Sequence, residues 1–233
     1  VNLFHKELYA RIYHGDSIAE GLPSDCDLLL VDAPYSDRTH VGSGKVEGVR
    51  PHAALPYASW SDDQVLAACN AWIPRTRGWL VSITDHNLAP AWADAMSSNG
   101  LYVFAPIPWV AVAGGVRLQG DGPSSWTCWI VVGRPKKKPY SNWGTLPGAY
   151  VIPKDRSGIQ GSKPLELMRA LIQGYSRCGD MVCDPCCGSG STIKAALDMG
   201  RHATGIDVDP EHCKMSIDRL RQQQLFNAEG DHA

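Results

Sequence analysis

Two short segments hold side chains that could do chemistry together. Asp32-Ala-Pro-Tyr35 closes an apolar run with a carboxylate, a turn-forming proline and a flat aromatic ring. About 150 residues later, Cys183-Asp-Pro-Cys-Cys-Gly-Ser-Gly-Ser-Thr192 closes a second apolar run and leads into a helical pattern. A glycine-rich turn between a strand and a helix N-terminus offers backbone N–H groups and the positive end of a helix to a ligand. This turn reads G-x-G but has Ile193 where a dinucleotide fingerprint has its third glycine. Asp207, 17 positions after Gly190, ends another apolar run. A carboxylate there can accept hydrogen bonds from both hydroxyls of a ribose. Cys178, Cys183, Cys186 and Cys187 cluster here. Their spacing matches no paired C-x-x-C framework, so they read as buried or cofactor-lining thiols and no metal site is expected.

The elements that must position these segments alternate. Strands are predicted over residues 8–13, 27–31, 78–84, 101–109, 126–132, 181–184 and 202–207. Helices are predicted over 61–72 with Ser61 as N-cap, 89–98, 163–174 and 191–199, and from about Pro210. Alternating strands and helices imply a mostly parallel sheet covered on both faces, with ligands at the carboxyl ends of the strands. Asp16, Asp32, Thr84, Asp184 and Asp207 all fall at such ends.

The 233 residues, 44% hydrophobic and 20% charged, suit a single α/β domain spanning 1–233. No apolar run approaches the roughly 20 residues of a membrane span. The first residues lack a signal-peptide core, so a cytoplasmic protein is expected. The net charge of −2 argues against a surface that is basic throughout, although local basic runs remain.

Asp184-Pro-Cys-Cys-Gly-Ser-Gly-Ser-Thr192 resembles the D-P-F-x-G-S-G-T-T motif of amino-group DNA methyltransferases, which bind S-adenosylmethionine. Asp32-Ala-Pro-Tyr35 resembles their D-P-P-Y catalytic motif. Gly161-Ser-Lys-Pro164 and His14-Gly-Asp-Ser17 also look family-like, and the catalytic motif precedes the cradle as in the permuted β group. The resemblance implies a Rossmann-like S-adenosylmethionine-dependent methyltransferase fold, a mostly parallel sheet with one antiparallel strand and a circularly permuted motif order. It implies a bacterial or phage origin and a restriction-modification setting.

Roles follow from the same resemblance. Asp207 and Val208 would lie at the ribose, Asp16 and Ser17 at the adenine, and Ser162 and Lys163 at the methionine end. Asp184, Pro185, Cys186, Gly188, Ser189, Gly190, Ser191 and Thr192 would form the cradle. Asp32 would touch both cofactor and target. The exocyclic amine of a base is a poor nucleophile, because its lone pair is delocalised into the ring. The Asp32 carboxylate and the Ala33 carbonyl would accept its two hydrogens and aim the lone pair at the methyl group. Pro34 keeps residue 33 extended, and Tyr35 would stack on a flipped base. Cys186 replaces the family's phenylalanine and Ala33 its first proline. Pro185-Cys186 looks like the nucleophile of cytosine-C5 enzymes, but it sits inside the cradle.

Target recognition is expected from inserted loops at 36–58, 111–125 and 134–160. They carry Arg38, His40, Lys45, Arg50, Arg117, Arg134, Lys136, Lys137 and Lys138, with Lys154 and Arg156. Such small insertions suit a short or relaxed recognition sequence in double-stranded DNA, or a homodimer that shares recognition. A leading Asp in the catalytic motif leans to adenine N6 over cytosine N4. The alternatives are methylation of another planar amine and a nucleic-acid binder without activity.

Overall fold

The computed structural model describes residues 1–37, 39, 58–112, 126–136, 143–154 and 162–230, with the backbone alone for 222–230. Its elements in chain order are β1 (Asn2–Lys6), β2 (Ala10–His14), α1 (Ser17–Glu20), β3 (Cys26–Val31), α2 (Asp62–Trp72), β4 (Thr76–Thr84) and α3 (Ala89–Ser98). There follow β5 (Leu101–Val103), β6 (Ile107–Val110), β7 (Thr127–Pro135), β8 (Tyr150–Val151), α4 (Leu165–Tyr175), β9 (Met181–Asp184), α5 (Ser191–Asp198), β10 (His202–Asp207) and α6 (Pro210–Gly230).

The run Leu28-Leu-Leu30 shows why the sheet is covered twice. Successive strand side chains point to opposite faces, so an unbroken apolar run needs cover on both. Leu28 and Leu30 pack in one core with Leu167, Met168, Leu171 and Ile172 of α4 and with Ile193 and Ala196 of α5. Leu29 and Val31 pack in a second core with Val65, Ala68 and Trp72 of α2 and Trp92 and Met96 of α3. Each face thus holds its own set of helices.

The described strands form one ten-stranded sheet, ordered β1-β2-β10-β9-β3-β4-β7-β6-β8, with β5 also on β7. Strands β2, β10, β9, β3 and β4 are parallel neighbours. β7 runs antiparallel to β4, and β1 runs antiparallel to β2 at the far edge. From β9 the chain crosses to β10 on one side, and from β3 to β4 on the other. The order therefore reverses between β3 and β9, and a crevice opens where their carboxyl ends diverge.

Several helix ends follow local chemistry. Ser61 caps α2 in a capping box: its Oγ accepts the Gln64 N–H, and Gln64 Oε1 accepts the Ser61 N–H at 3.0 Å. Three details differ from expectation. The strand expected over 101–109 is two strands, split at Phe104-Ala-Pro106, and both lie on β7. α4 starts at Leu165, after Pro164 in extended backbone, and runs on to Tyr175, whose ring packs against Trp79. The first expected strand shifts to 10–14, leaving Leu8 82% exposed in the turn from β1.

Candidate active site

Where β3 and β9 diverge there is a cleft of about 990 Å³, near the top of the roughly 300–1,000 Å³ range of ligand pockets. Asp32, Ala33, Pro34 and Tyr35 line it together with Asp16, Ser17, Ser162, Lys163, Asp184, Pro185, Cys186, Gly188, Ser189, Ser191, Thr192, Asp207 and Val208. Residues up to 192 positions apart are thereby brought into one wall.

On the β9 side the loop is shaped from within. Asp184 is buried, and its Oδ2 accepts the Thr192 O–H at 2.5 Å while Oδ1 accepts the Cys186 N–H at 3.0 Å. Burial pushes its carboxyl from 3.8 up to about 7, against the pull of those two bonds. Gly188 and Gly190 both have positive φ, at 50° and 79°. They use that freedom differently. A Cβ on Gly188 would enter open cleft, whereas one on Gly190 would strike Ser216 of α6 at 2.8 Å. Gly190 therefore permits helix packing, and it is Gly188 that leaves room for a ligand.

Asp207 closes this side. Its Oδ2 accepts the Gly188 N–H at 2.8 Å, and Oδ1 accepts the Asp209 N–H at 2.9 Å and lies 3.1 Å from His212 Nδ1. Asp16 caps α1, its Oδ1 accepting the Ile18 and Ala19 N–H groups. Ser17 donates to the Pro185 carbonyl and ties α1 to the glycine loop. Ser162 and Ser191 share a 2.9 Å hydrogen bond, and Arg219 of α6 donates to Ser191 Oγ at 2.7 Å.

On the β3 side Lys163 Nζ lies 2.6 and 2.8 Å from the two Asp32 oxygens. Burial pushes the Asp32 carboxyl above its ordinary range, and Lys163 pulls it partly back. The same ammonium lies 4.9 Å from the centre of the Tyr35 ring. The Tyr35 O–H donates to Cys128 Sγ at 3.6 Å, and the Tyr35 carbonyl accepts the Trp60 N–H at 3.0 Å. The loop thus presents a carboxylate paired to a lysine, beside an aromatic ring anchored at its hydroxyl and its carbonyl.

A family model described as DNA methylase, of the N6/N4 type, matches residues 27–218. The chain belongs to the N6/N4 DNA methylase family. It is similar to the DNA adenine methyltransferase YhdJ of Escherichia coli, 37% identical over 67 residues that make up 29% of this chain and 23% of YhdJ. It is also similar to the type II methyltransferase M.MjaI of Methanocaldococcus jannaschii, 44% identical over 73 residues, 29% of this chain and 24% of M.MjaI. The matched stretches span about a quarter of each relative. The fold is shared with M1.HpyAVI, solved as a complex with SAM: TM-score 0.66, 22% identity, 90% of this chain and 99% of that one. It is also shared with the cytosine-N4-specific PvuII DNA methyltransferase: TM-score 0.67, 14% identity, 93% and 89% covered.

The basic residues of this family member fall into three groups. Arg38, His40, Lys45, Arg50, Arg117, Lys137, Lys138 and Arg156 lie outside the described residues. Lys154 lines the cleft. Arg134 and Lys136 are not brought to it. β7 pairs Trp129 with Thr84 at the catalytic end and Gly133 with Leu80 further down, so residues beyond 133 emerge at the opposite end of the sheet. There the Arg134 guanidinium sits 4.9 Å from the Tyr102 ring and 5.6 Å from the Phe104 ring. Cleft-wall residues that the sequence did not single out include Trp60, Trp109, Cys128, His212 and Met215. All eight cysteines are free thiols. Among the described residues no His, Cys, Asp and Glu group is arranged to hold a metal, and no helix is long and apolar enough to cross a membrane. Desolvation, helped by the neighbouring carboxylates, pushes the thiol of half-buried Cys186 well up, which works against a cytosine-C5-type thiolate nucleophile.

Proposed function

We propose that this chain transfers a methyl group from S-adenosylmethionine to the N6 amine of an adenine flipped out of double-stranded DNA. The observation that carries this is the shared wall of one cleft. Asp32, an acceptor suited to an amine, and the glycine cradle sit on the carboxyl ends of neighbouring parallel strands.

The residues present fit such a cofactor. The free space over Gly188, the α5 N-terminus and the Asp207 carboxylate form a cradle that a Cβ at 188 would fill. Asp207 would hold the ribose and Asp16 the adenine edge, while Ser162, Lys163 and Ser191 would hold the amino-acid end, with Asp184, Pro185, Cys186, Ser189, Thr192 and Val208 completing the wall. The bound cofactor supplies a methyl group on a positively charged sulfur.

The protein's own part is orientation. Lys163 yields Asp32 to the incoming amine, and Asp32 and the Ala33 carbonyl accept hydrogen bonds from its two N–H groups. Tyr35 stacks on the extruded base and offsets part of the cost of unstacking. With the amine so held, its lone pair would face the methyl group, and the surplus amine proton would leave to solvent. Lys154 at the cleft, and the basic residues of 36–58 and 111–125, would contact the DNA backbone. A homodimer sharing recognition fits the small size of these insertions.

The test is nucleoside analysis of unmethylated DNA after incubation with protein and labelled cofactor. N6-methyladenine is the expected product. N4-methylcytosine would move the target to cytosine, because the same two acceptors serve either amine. Tight cofactor binding with no label in DNA would overturn the reading in favour of an inactive binder or another amine substrate.

A further inference from the structure

Asp85 follows Thr84, the last residue of β4, and is only 5% exposed. Its two carboxylate oxygens serve different parts of the molecule. Oδ1 accepts the N–H groups of Asn87 and Leu88, both at 3.0 Å, and so closes the turn that leads into α3. Oδ2 reaches across to the loop after β3. It accepts the Ser36 N–H at 2.9 Å, the Ser36 O–H at 2.5 Å and the Thr39 O–H at 2.5 Å. Asn87 completes the ring by donating to Ser36 Oγ at 3.0 Å. Burial pushes the Asp85 carboxyl up, but the bonds from Ser36, Thr39 and Leu88 outweigh it and hold the group below its ordinary range. It therefore stays ionised, and an acceptor, throughout the neutral range.

A residue needed only to start α3 would use one oxygen. The other oxygen is spent on the peptide immediately after Tyr35, 49 positions away in the chain. We propose that Asp85 is a positioning residue for methyl transfer: Oδ2 clamps the Tyr35–Ser36 peptide, and so fixes the Tyr35 ring and the Ala33 carbonyl relative to Asp32. The proposal rests on reading Asp32-Ala-Pro-Tyr35 as the catalytic loop. The clamp stands just past the end of β4, and its hydrogen bonds go to residues 36, 39, 87 and 88 and not to β9 or β10, so cofactor binding should not depend on it.

Asp85→Asn separates the two duties. The amide oxygen can still close the Asn87–Leu88 turn, while its NH2 meets the Ser36 N–H donor against donor and the two hydroxyls must turn round to accept. Single-turnover methyl transfer should fall about 100-fold, the loss expected when reacting groups shift by roughly 1 Å. The cofactor Kd should stay within about 3-fold of wild type, because the cradle is intact. Hydrogen exchange at the Ser36 amide should accelerate at least about 10-fold as its acceptor is lost. Should Asp85→Asn fail to fold, Ser36→Ala with Thr39→Ala removes the two hydroxyls that Oδ2 accepts: transfer should fall at unchanged cofactor Kd, an unchanged transfer rate overturns the idea, and Ser36→Thr alone, which keeps the hydroxyl, should retain most of the wild-type rate. The idea is overturned if Ser36 exchange accelerates while transfer stays at the wild-type rate. It is equally overturned if transfer falls only in proportion to the loss of folded protein. A wild-type chain that binds cofactor but labels no DNA would overturn the functional reading, and this role with it.

Discussion

Two aspartates end neighbouring strands and are handled in opposite ways. Asp184 ends β9 and Asp32 follows β3, and burial pushes both carboxyls upward. Asp184 is committed internally, to a hydroxyl and an N–H of its own loop. Asp32 is held by a lysine from 131 positions away, and its loop is pinned from outside by Asp85. The first carboxylate builds a shape. The second is paired to a lysine and faces the cleft. Geometry around the group, more than its identity, separates an aspartate that braces its own loop from one that faces the cleft.

The contrast is most sharply broken by Asp32→Ala. Label transfer to DNA should drop by about 1,000-fold or more, the scale for removing a group that acts on the reacting centre, a far larger loss than any change in cofactor affinity read by calorimetry. Asp184→Ala should do the reverse. It strands a buried hydroxyl and an N–H at about 1–3 kcal/mol each, so the melting temperature and cofactor affinity fall together.

A finer version uses pH. The folded-state value of about 7 for Asp184 stands above the ordinary 3.8, so the folded protein holds an extra proton between them. The stability contributed by that group is full below about pH 4 and is lost as pH rises towards 7. Thermal melts of wild type should therefore decline relative to Asp184→Asn across that window. Lys163→Met leaves Asp32 buried with no cation and so raises its carboxyl further. The acidic limb of the pH–rate profile should move to higher pH. The smallest effects fall on Cys186. Cys186→Ser should retain transfer, and Cys186→Phe, which restores an aromatic wall, should tighten cofactor binding about 5-fold in equilibrium titration.

Much of the active edge could be read directly. Met181–Asp184, His202–Asp207 and Ala89–Ser98 matched because a buried parallel strand is an unbroken apolar run, and a buried helix has a 3.6-residue stripe. The strand β1 was invisible because it is an exposed edge, with only His5 half-buried. The split between β5 and β6 turns on Pro106, which interrupts an otherwise continuous apolar stretch. Asp85 stands one residue beyond Thr84, and no local pattern reveals a carboxylate whose partners lie 46 to 49 positions away. The placement of Arg134 was equally hidden, because composition marks a basic residue but only the direction of β7 decides which end of the sheet it reaches.

Trp60 stacks on Trp92 at 20° between planes with centroids 6.3 Å apart, and its ring is 6.1 Å from that of Trp72. The two partners are wholly buried, while Trp60 itself lines the cleft. The cleft therefore has a built-in chromophore, packed against the core on one side and facing any occupant on the other. Occupancy of the cleft can be followed in the protein's own emission, without a label, and Trp60→Phe identifies the part of the signal that comes from the site.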